Sequence, residues 1–187
     1  MESHPAGSPR GTFSGAFALV LLLFLGASGT ARAHDGVELA GDILQFALPA
    51  TAYGMTAYHR DGDGALQYTE AAALTLGVTT ALKYTIDAER PDGGSQSFPS
   101  GHTSICFSAA EFARKRYDWG YGAPLYAAAA FVGYSRVEAE RHYVRDVVSG
   151  AVIGIASSYL FTSPFHGWGV GVLAADGCYG LVATRPW

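Results

Sequence analysis

Pro99-Ser100-Gly101-His102-Thr103-Ser104-Ile105-Cys106-Phe107-Ser108-Ala109-Ala110-Glu111-Phe112-Ala113-Arg114-Lys115-Arg116 is the stretch that decides the fold class. Ser100 is a residue type favoured at helix N-caps, where its hydroxyl takes one of the unpaired amides of the first turn. A helix that begins at Gly101 or His102 carries Ile105, Phe107, Ala109, Ala110 and Phe112 and ends in the basic cluster Arg114-Lys115-Arg116. The Gly101 and His102 amides then point at whatever lies in front of the helix, and such N-termini bind phosphate through free N–H groups and the aligned dipole. Gly101 keeps bulk out of the way, and His102 adds a group that titrates near neutral pH.

Outward from this helix the chain reads as further helices joined by short loops. Apolar segments run from about Asp42 to Tyr58, Tyr68 to Ile86, Pro124 to Val137 and Arg141 to Phe161. The expected fold is all-α, a compact bundle of about five to six helices. The Gly-rich tail from His166 to Trp187 holds Asp176-Gly177 between short apolar stretches, which reads as a short C-terminal hairpin or as an irregular cap. Most apolar runs fall short of the roughly 20 residues that cross a bilayer comfortably. Gly, Thr and Ser interrupt them, as they do in membrane helices that pack closely. Spanning helices and a soluble core both stay open, with the balance toward the membrane.

Composition points the same way. Hydrophobic residues make up 49% of the 187 and charged residues 15%, below the roughly 25% charged of soluble domains. The formal charge is −4 with no Lys/Arg-rich run, so no nucleic-acid partner is expected. Arg10, the apolar run from about Phe13 to Leu25 and the small-residue site Ala31-Arg32-Ala33 read as a signal peptide over residues 1–33, or as an uncleaved anchor. Cleavage after Ala33 is the reading adopted, which places the domain at 34–187, with its core at about 40–165, outside the cytoplasm, in the inner membrane facing the periplasm or in the periplasm. Cys106 and Cys178 give no clear disulfide reading.

Two more blocks carry chemistry. In Lys83-Tyr84-Thr85-Ile86-Asp87-Ala88-Glu89-Arg90-Pro91, Lys83 and Arg90 are almost two helical turns apart and would share a face if the helix reached that far. Pro91 disfavours helix at Arg90, which is therefore expected at the helix end, reaching inward. Two cations there, one a bidentate fork, suit a tetrahedral oxyanion. In the other block Ser135-Arg136 is followed by His142 and Asp146. As an i, i+4 pair on a helix, Asp146 could fix the imidazole tautomer and leave the other nitrogen of His142 as a nucleophile. Each block alone also fits an ordinary surface.

Together, K-x6-R-P, P-S-G-H and S-R-x5-H-x3-D, in that order, resemble the three-part signature of the type 2 phosphatidic acid phosphatase superfamily, which also includes vanadium-dependent haloperoxidases. All its fixed positions are present: Lys83, Arg90, Pro91, Pro99, Ser100, Gly101, His102, Ser135, Arg136, His142 and Asp146. The resemblance implies a metal-independent phosphatase with no cofactor. It makes His142 the nucleophile that becomes a phosphohistidine, Asp146 its orienting partner and His102 the acid and then the base. Lys83, Arg90, Ser100, Gly101 and Arg136 hold the phosphate oxygens. The implied substrates are phosphorylated lipids (phosphatidic acid, phosphatidylglycerophosphate, undecaprenyl pyrophosphate or a lipid A phosphate), with membrane association. The alternative is small phosphate esters, cleaved by a soluble periplasmic acid phosphatase. Only residues 92–98 separate the first two blocks, too few for a long substrate-capping insertion.

Two further alternatives are a vanadate-dependent relative, for which the chain is short, and a non-catalytic calcium-binding module. The second rests on His59-Arg60-Asp61-Gly62-Asp63-Gly64-Ala65-Leu66-Gln67-Tyr68-Thr69-Glu70, which follows EF-hand spacing except for His59 at the first ligand position. The competing reading of this segment is a Gly-rich turn between helices.

Overall fold

The computed structural model describes residues 30–165 and the strands at 169–175 and 178–184. Side chains are described from residue 36 to residue 165. The proposed signal peptide lies outside the described residues except at its end, where residues 30–33 begin the first helix, and Asp176-Gly177 lies outside them too.

Five helices follow in order: α1 Thr30–Tyr58, α2 Gly62–Ile86, α3 Gly101–Arg116, α4 Trp119–Glu138 and α5 Val144–Phe161. The strands β1 Gly169–Ala175 and β2 Cys178–Thr184 then pair antiparallel, with Ala175 opposite Cys178, which is the hairpin expected of the tail. The all-α bundle is as expected. Three of the connections are short, which makes neighbouring helices antiparallel.

α3 is the central helix and packs on all four others. Its small residues allow this: Thr103, Ser104, Cys106, Ser108, Ala109, Ala110 and Ala113 are all buried, together with Phe112. Phe112 and the fully buried Tyr68 of α2 meet at 4.9 Å between ring centroids. Leu44, Leu48, Ala52 and Met55 of α1 and Leu125, Ala129 and Val132 of α4 complete the core. On the α5 side the contact is closer still. A Cβ on Gly150 would stand 2.5 Å from the Ser100 carbonyl oxygen, and one on Gly154 would overlap the Ser104 carbonyl. These two glycines let α5 lie backbone to backbone on the first turns of α3.

Several helix ends differ from the sequence reading. α1 begins at Thr30 rather than Asp42, because the Gly- and charge-containing stretch before Asp42 still folds as helix. α4 begins at Trp119, capped by Asp118 through the Gly120 amide at 2.5 Å, so Pro124 lies inside the helix. α2 begins at Gly62 rather than Tyr68, and this overturns the calcium-loop reading. Asp61 is its N-cap, accepting from the Gly64 amide at 2.9 Å. The same carboxylate takes Arg116 Nη2 at 2.5 Å, Arg116 Nε at 2.7 Å and the Tyr117 hydroxyl at 3.0 Å. A helix cannot wrap its side chains around an ion as an extended 12-residue loop does, and the pivotal carboxylate is spent on an arginine. No group of three His, Cys, Asp or Glu suited to a metal occurs among the described residues.

Candidate active site

The three chemistry-bearing blocks meet at one end of the bundle. Lys83 lies in the last turn of α2, which stops at Asp87 in the left-handed conformation, φ 42°. Arg90 therefore sits in the loop beyond the helix rather than on its face. Ser100 caps α3 as expected, with φ −72° and ψ 115°. Arg136 is in the last turn of α4. A cavity of about 790 Å³ is lined by Lys83, Arg90, Gly101, His102, Arg136 and His142. Ser100 and Asp146 are fully buried behind it. The Ser100 hydroxyl is already occupied by Thr103, whose Oγ1 donates at 3.0 Å.

The geometry of the His142–Asp146 pair differs from the expectation. α5 starts at Val144, so His142 belongs to the preceding turn and the two do not share a helix face. Asp146 is the third residue of the helix and folds back to accept the Tyr143 amide on Oδ2 at 3.0 Å, a common use of an acid in a first turn. His142 Nδ1 then lies 3.7 Å from that oxygen, longer than a hydrogen bond. Burial, with Lys83 and Arg90 nearby, pushes the His142 imidazole down to about 4, against the smaller opposing pull of Asp146.

The cations are held in place by oxygens that the sequence reading did not identify. Lys83 Nζ donates to the Gln96 carbonyl at 2.7 Å and Arg90 Nε to the Ser95 carbonyl at 3.0 Å. Arg136 donates to the Glu38 carbonyl and to Asp42 Oδ1, both at 2.7 Å. The same Asp42 oxygen accepts from His102 Nε2 at 3.0 Å. At the rim Arg141 joins Glu38 at 2.9 Å and Asp92 at 3.0 Å. Asp42, and Ser97, whose hydroxyl lies 2.5 Å from Asp146 Oδ2 and 3.5 Å from His142 Nδ1, also touch the candidate residues, and the sequence reading gave neither a role. Asp42 is the last acid of α1 before its apolar run, a usable signal; nothing in spacing marks Ser97.

From its polar end the cavity continues between α1 and α2 along Phe46, Pro49, Tyr53, Ala72, Leu76 and Ile105. From Asp42 to Tyr53 the slot runs about 16 Å at the helical rise, roughly half the hydrocarbon thickness of a bilayer. Phe46 and Leu76 are 72% and 50% exposed, so the slot opens sideways through apolar walls.

A family model described as the PAP2 superfamily matches residues 64–169. A lipid A 4'-phosphatase of Helicobacter pylori is 33% identical over 141 residues, 69% of this chain and 71% of that protein. A lipid A 1-phosphatase of Porphyromonas gingivalis is 40% identical over 88 residues, and the match spans 44% of this chain and only 20% of that protein. Among solved structures, Aquifex aeolicus LpxE superposes with a TM-score of 0.57 at 22% identity, covering 76% of this chain and 92% of its own. A transmembrane PAP2 type phosphatidylglycerolphosphate phosphatase from Bacillus subtilis gives 0.56 at 23%, covering 79% and 83%. At these identities the superpositions establish a shared fold.

Proposed function

Since the chain belongs to the PAP2 superfamily, and with it to the hydrolases of phosphoric ester or anhydride bonds, we propose that it removes phosphate from a membrane lipid through a phosphohistidine on His142. The observation that carries this reading is the shape of the cavity: a cationic end built from Lys83, Arg90 and Arg136, continuous with an apolar slot. A small soluble ester needs only the first part. A lipid phosphate uses both.

The chemistry follows from the site. Phosphoryl transfer needs positioning and charge neutralisation. Lys83, Arg90 and Arg136 supply three positive charges without a metal, and the α3 amides at Gly101 and His102 add the dipole of a helix start. Ser100 shapes that start as its cap. With Nδ1 of His142 turned toward Ser97 and Asp146, Nε2 on the other edge of the ring is the nitrogen that attacks phosphorus. Its low pKa keeps it unprotonated and ready. His102, at the cavity wall, protonates the leaving oxygen and then takes a proton from the water that cleaves the phosphohistidine, a role worth roughly 10²–10⁴ in rate.

The names of the similar proteins put a lipid A phosphate first among the substrates, ahead of phosphatidic acid, phosphatidylglycerophosphate and undecaprenyl pyrophosphate. α5, Val144–Phe161, is long and apolar enough to cross a membrane by length and composition, and most of it is not buried. Its exposed Val144, Val148 and Val152, one turn apart, form an apolar stripe for lipid contact. The signal-like N-terminus supports a site that faces the periplasm. The test is phosphate release from these four lipids, in detergent with EDTA, by wild type and His142→Ala. Turnover that survives EDTA and vanishes in the variant is expected. Equal activity in the two proteins would remove His142 as nucleophile, and activity confined to small esters would remove the lipid.

A further inference from the structure

Ser97 is fully buried between the link that follows α2 and the start of α5, and its position is fixed by its own amide, which donates to the Ala88 carbonyl at 2.8 Å. Its hydroxyl lies 2.5 Å from Asp146 Oδ2 and 3.5 Å from His142 Nδ1. The two residues it touches are 3.7 Å apart. The carboxylate can only accept, so the single hydroxyl proton goes to Asp146. A lone pair of Ser97 Oγ then faces Nδ1, and the contact is attractive only if Nδ1 carries the ring proton. We propose that Ser97 is a positioning residue for the nucleophile: it connects Asp146 to His142 and selects the tautomer that leaves Nε2 bare. This rests on the reading of His142 as the nucleophile.

The surroundings support the assignment. Asp146 Oδ2 already accepts the Tyr143 amide at 3.0 Å, and Oδ1 faces the Arg145 guanidinium at 3.5 Å without a hydrogen bond. Neither oxygen bonds the ring directly, and Ser97 supplies the side-chain connection between them. On attack, the Nε2–P bond forms, the bond from phosphorus to the leaving oxygen breaks, and that oxygen takes the proton of His102. The ring is left positively charged with its proton still on Nδ1. The chain from Nδ1–H through Ser97 to Asp146 stabilises that charge without moving a proton, so Ser97 acts on the phosphorylated state more than on the bound substrate.

The test compares Ser97→Ala, Ser97→Thr, Asp146→Asn and the double variant Ser97→Ala/Asp146→Asn with wild type and His142→Ala. Ser97→Ala should lose kcat by roughly 10-fold to 100-fold, the scale of losing an orienting partner. KM and inhibition by inorganic phosphate should stay within about twofold, which also shows a folded cradle. Ser97→Thr, which keeps the hydroxyl, should recover most of the rate, and the double variant should be no slower than Asp146→Asn. Independently of any variant, ¹⁵N NMR of the His142 ring in the wild-type protein should show a protonated Nδ1 and a bare Nε2. Wild-type kcat in Ser97→Ala, losses that add in the double variant, or the opposite tautomer would each overturn the proposal. If His142→Ala retains full activity, the nucleophile assignment falls. If only Ser97→Ala does, the connection through Ser97 falls alone.

Discussion

Asp42 and Arg136 are joined at 2.7 Å across α1 and α4, and the carboxylate oxygen that binds the guanidinium also binds His102 at 3.0 Å. One acid thus holds the two groups that the proposed mechanism turns toward the same phosphate, and its negative charge stands beside the proposed anion site. Asp42→Asn keeps an acceptor oxygen and removes that charge. Inorganic phosphate should inhibit the variant at lower concentration, while kcat falls roughly 10-fold as the acid loses its partner. Steady-state kinetics with phosphate as inhibitor checks both directions.

The pH profile should carry the signature of His142. As the proposed nucleophile it must be neutral, and burial beside Lys83 and Arg90 pushes its pKa down to about 4 from 6.5. The acid limb of kcat/KM, which reports the free enzyme, should therefore fall as pH drops through about 4, with little loss between 7 and 5 from this group. The stability linkage has the same sign. An unfolded imidazole takes its proton near 6.5, so the contribution from keeping His142 neutral is complete above that pH and is lost as pH falls toward 4.

At the other end of the bundle, Asp61→Ala should leave the buried Arg116 without its partner. Both side chains are almost sealed, at 3% and 6% exposure. Breaking such a pair typically costs about 3–5 kcal/mol. Thermal unfolding should show a large drop in Tm, with phosphatase turnover per folded molecule unchanged. Calcium should move the Tm of neither protein, since the segment that resembled a calcium site is helix from Gly62 onward.

Leu76 separates the lipid reading from the soluble one. A lysine there should forfeit the contact of one aliphatic side chain with an acyl chain, about 1.5–3 kcal/mol, and raise KM for a lipid substrate at least about tenfold. Hydrolysis of p-nitrophenyl phosphate, which reaches only the cationic end, should be unaltered. Parallel changes with both substrates would count against the slot as a lipid site.

Gly154→Ala should destabilise by about 1–3 kcal/mol, the usual range for overpacking, because the added methyl meets the Ser104 carbonyl and backbone can yield little. Thermal unfolding in detergent measures this directly.

Much of the site was legible because its chemistry is carried by charged residues at fixed spacings. Lys83, Arg90, His102, Arg136 and His142 line one cavity, as the three blocks required. The Ser100 cap was readable for a similar reason, since capping is a local affair of one hydroxyl and one turn. Helix starts were less legible. Gly62-Asp63-Gly64 looks like a loop by propensity, but Asp61 caps it and tertiary packing supplies the rest. Asp42 and Ser97 escaped because their partners are distant in sequence, 94 residues away for Asp42 and Arg136 and 49 for Ser97 and Asp146. The i, i+4 reading of His142 and Asp146 expected a shared helix face, which α5 does not provide because it starts at Val144. They approach through a turn and a cap rather than along a helix face.

The Ser100 amide donates to the Asp146 carbonyl at 2.9 Å, just above the seam where Gly150 meets Ser100. The turn that bears His102 and the segment that follows His142 are thus gauged against each other by main chain alone. Apart from proline at position 100, no side-chain replacement can delete that bond, but a bulkier residue at position 150 or 154 would act as a shim, prising α5 off α3 and widening the gap between His102 and His142. Two glycines outside the cavity lining therefore set the span across which the proposed reaction would run.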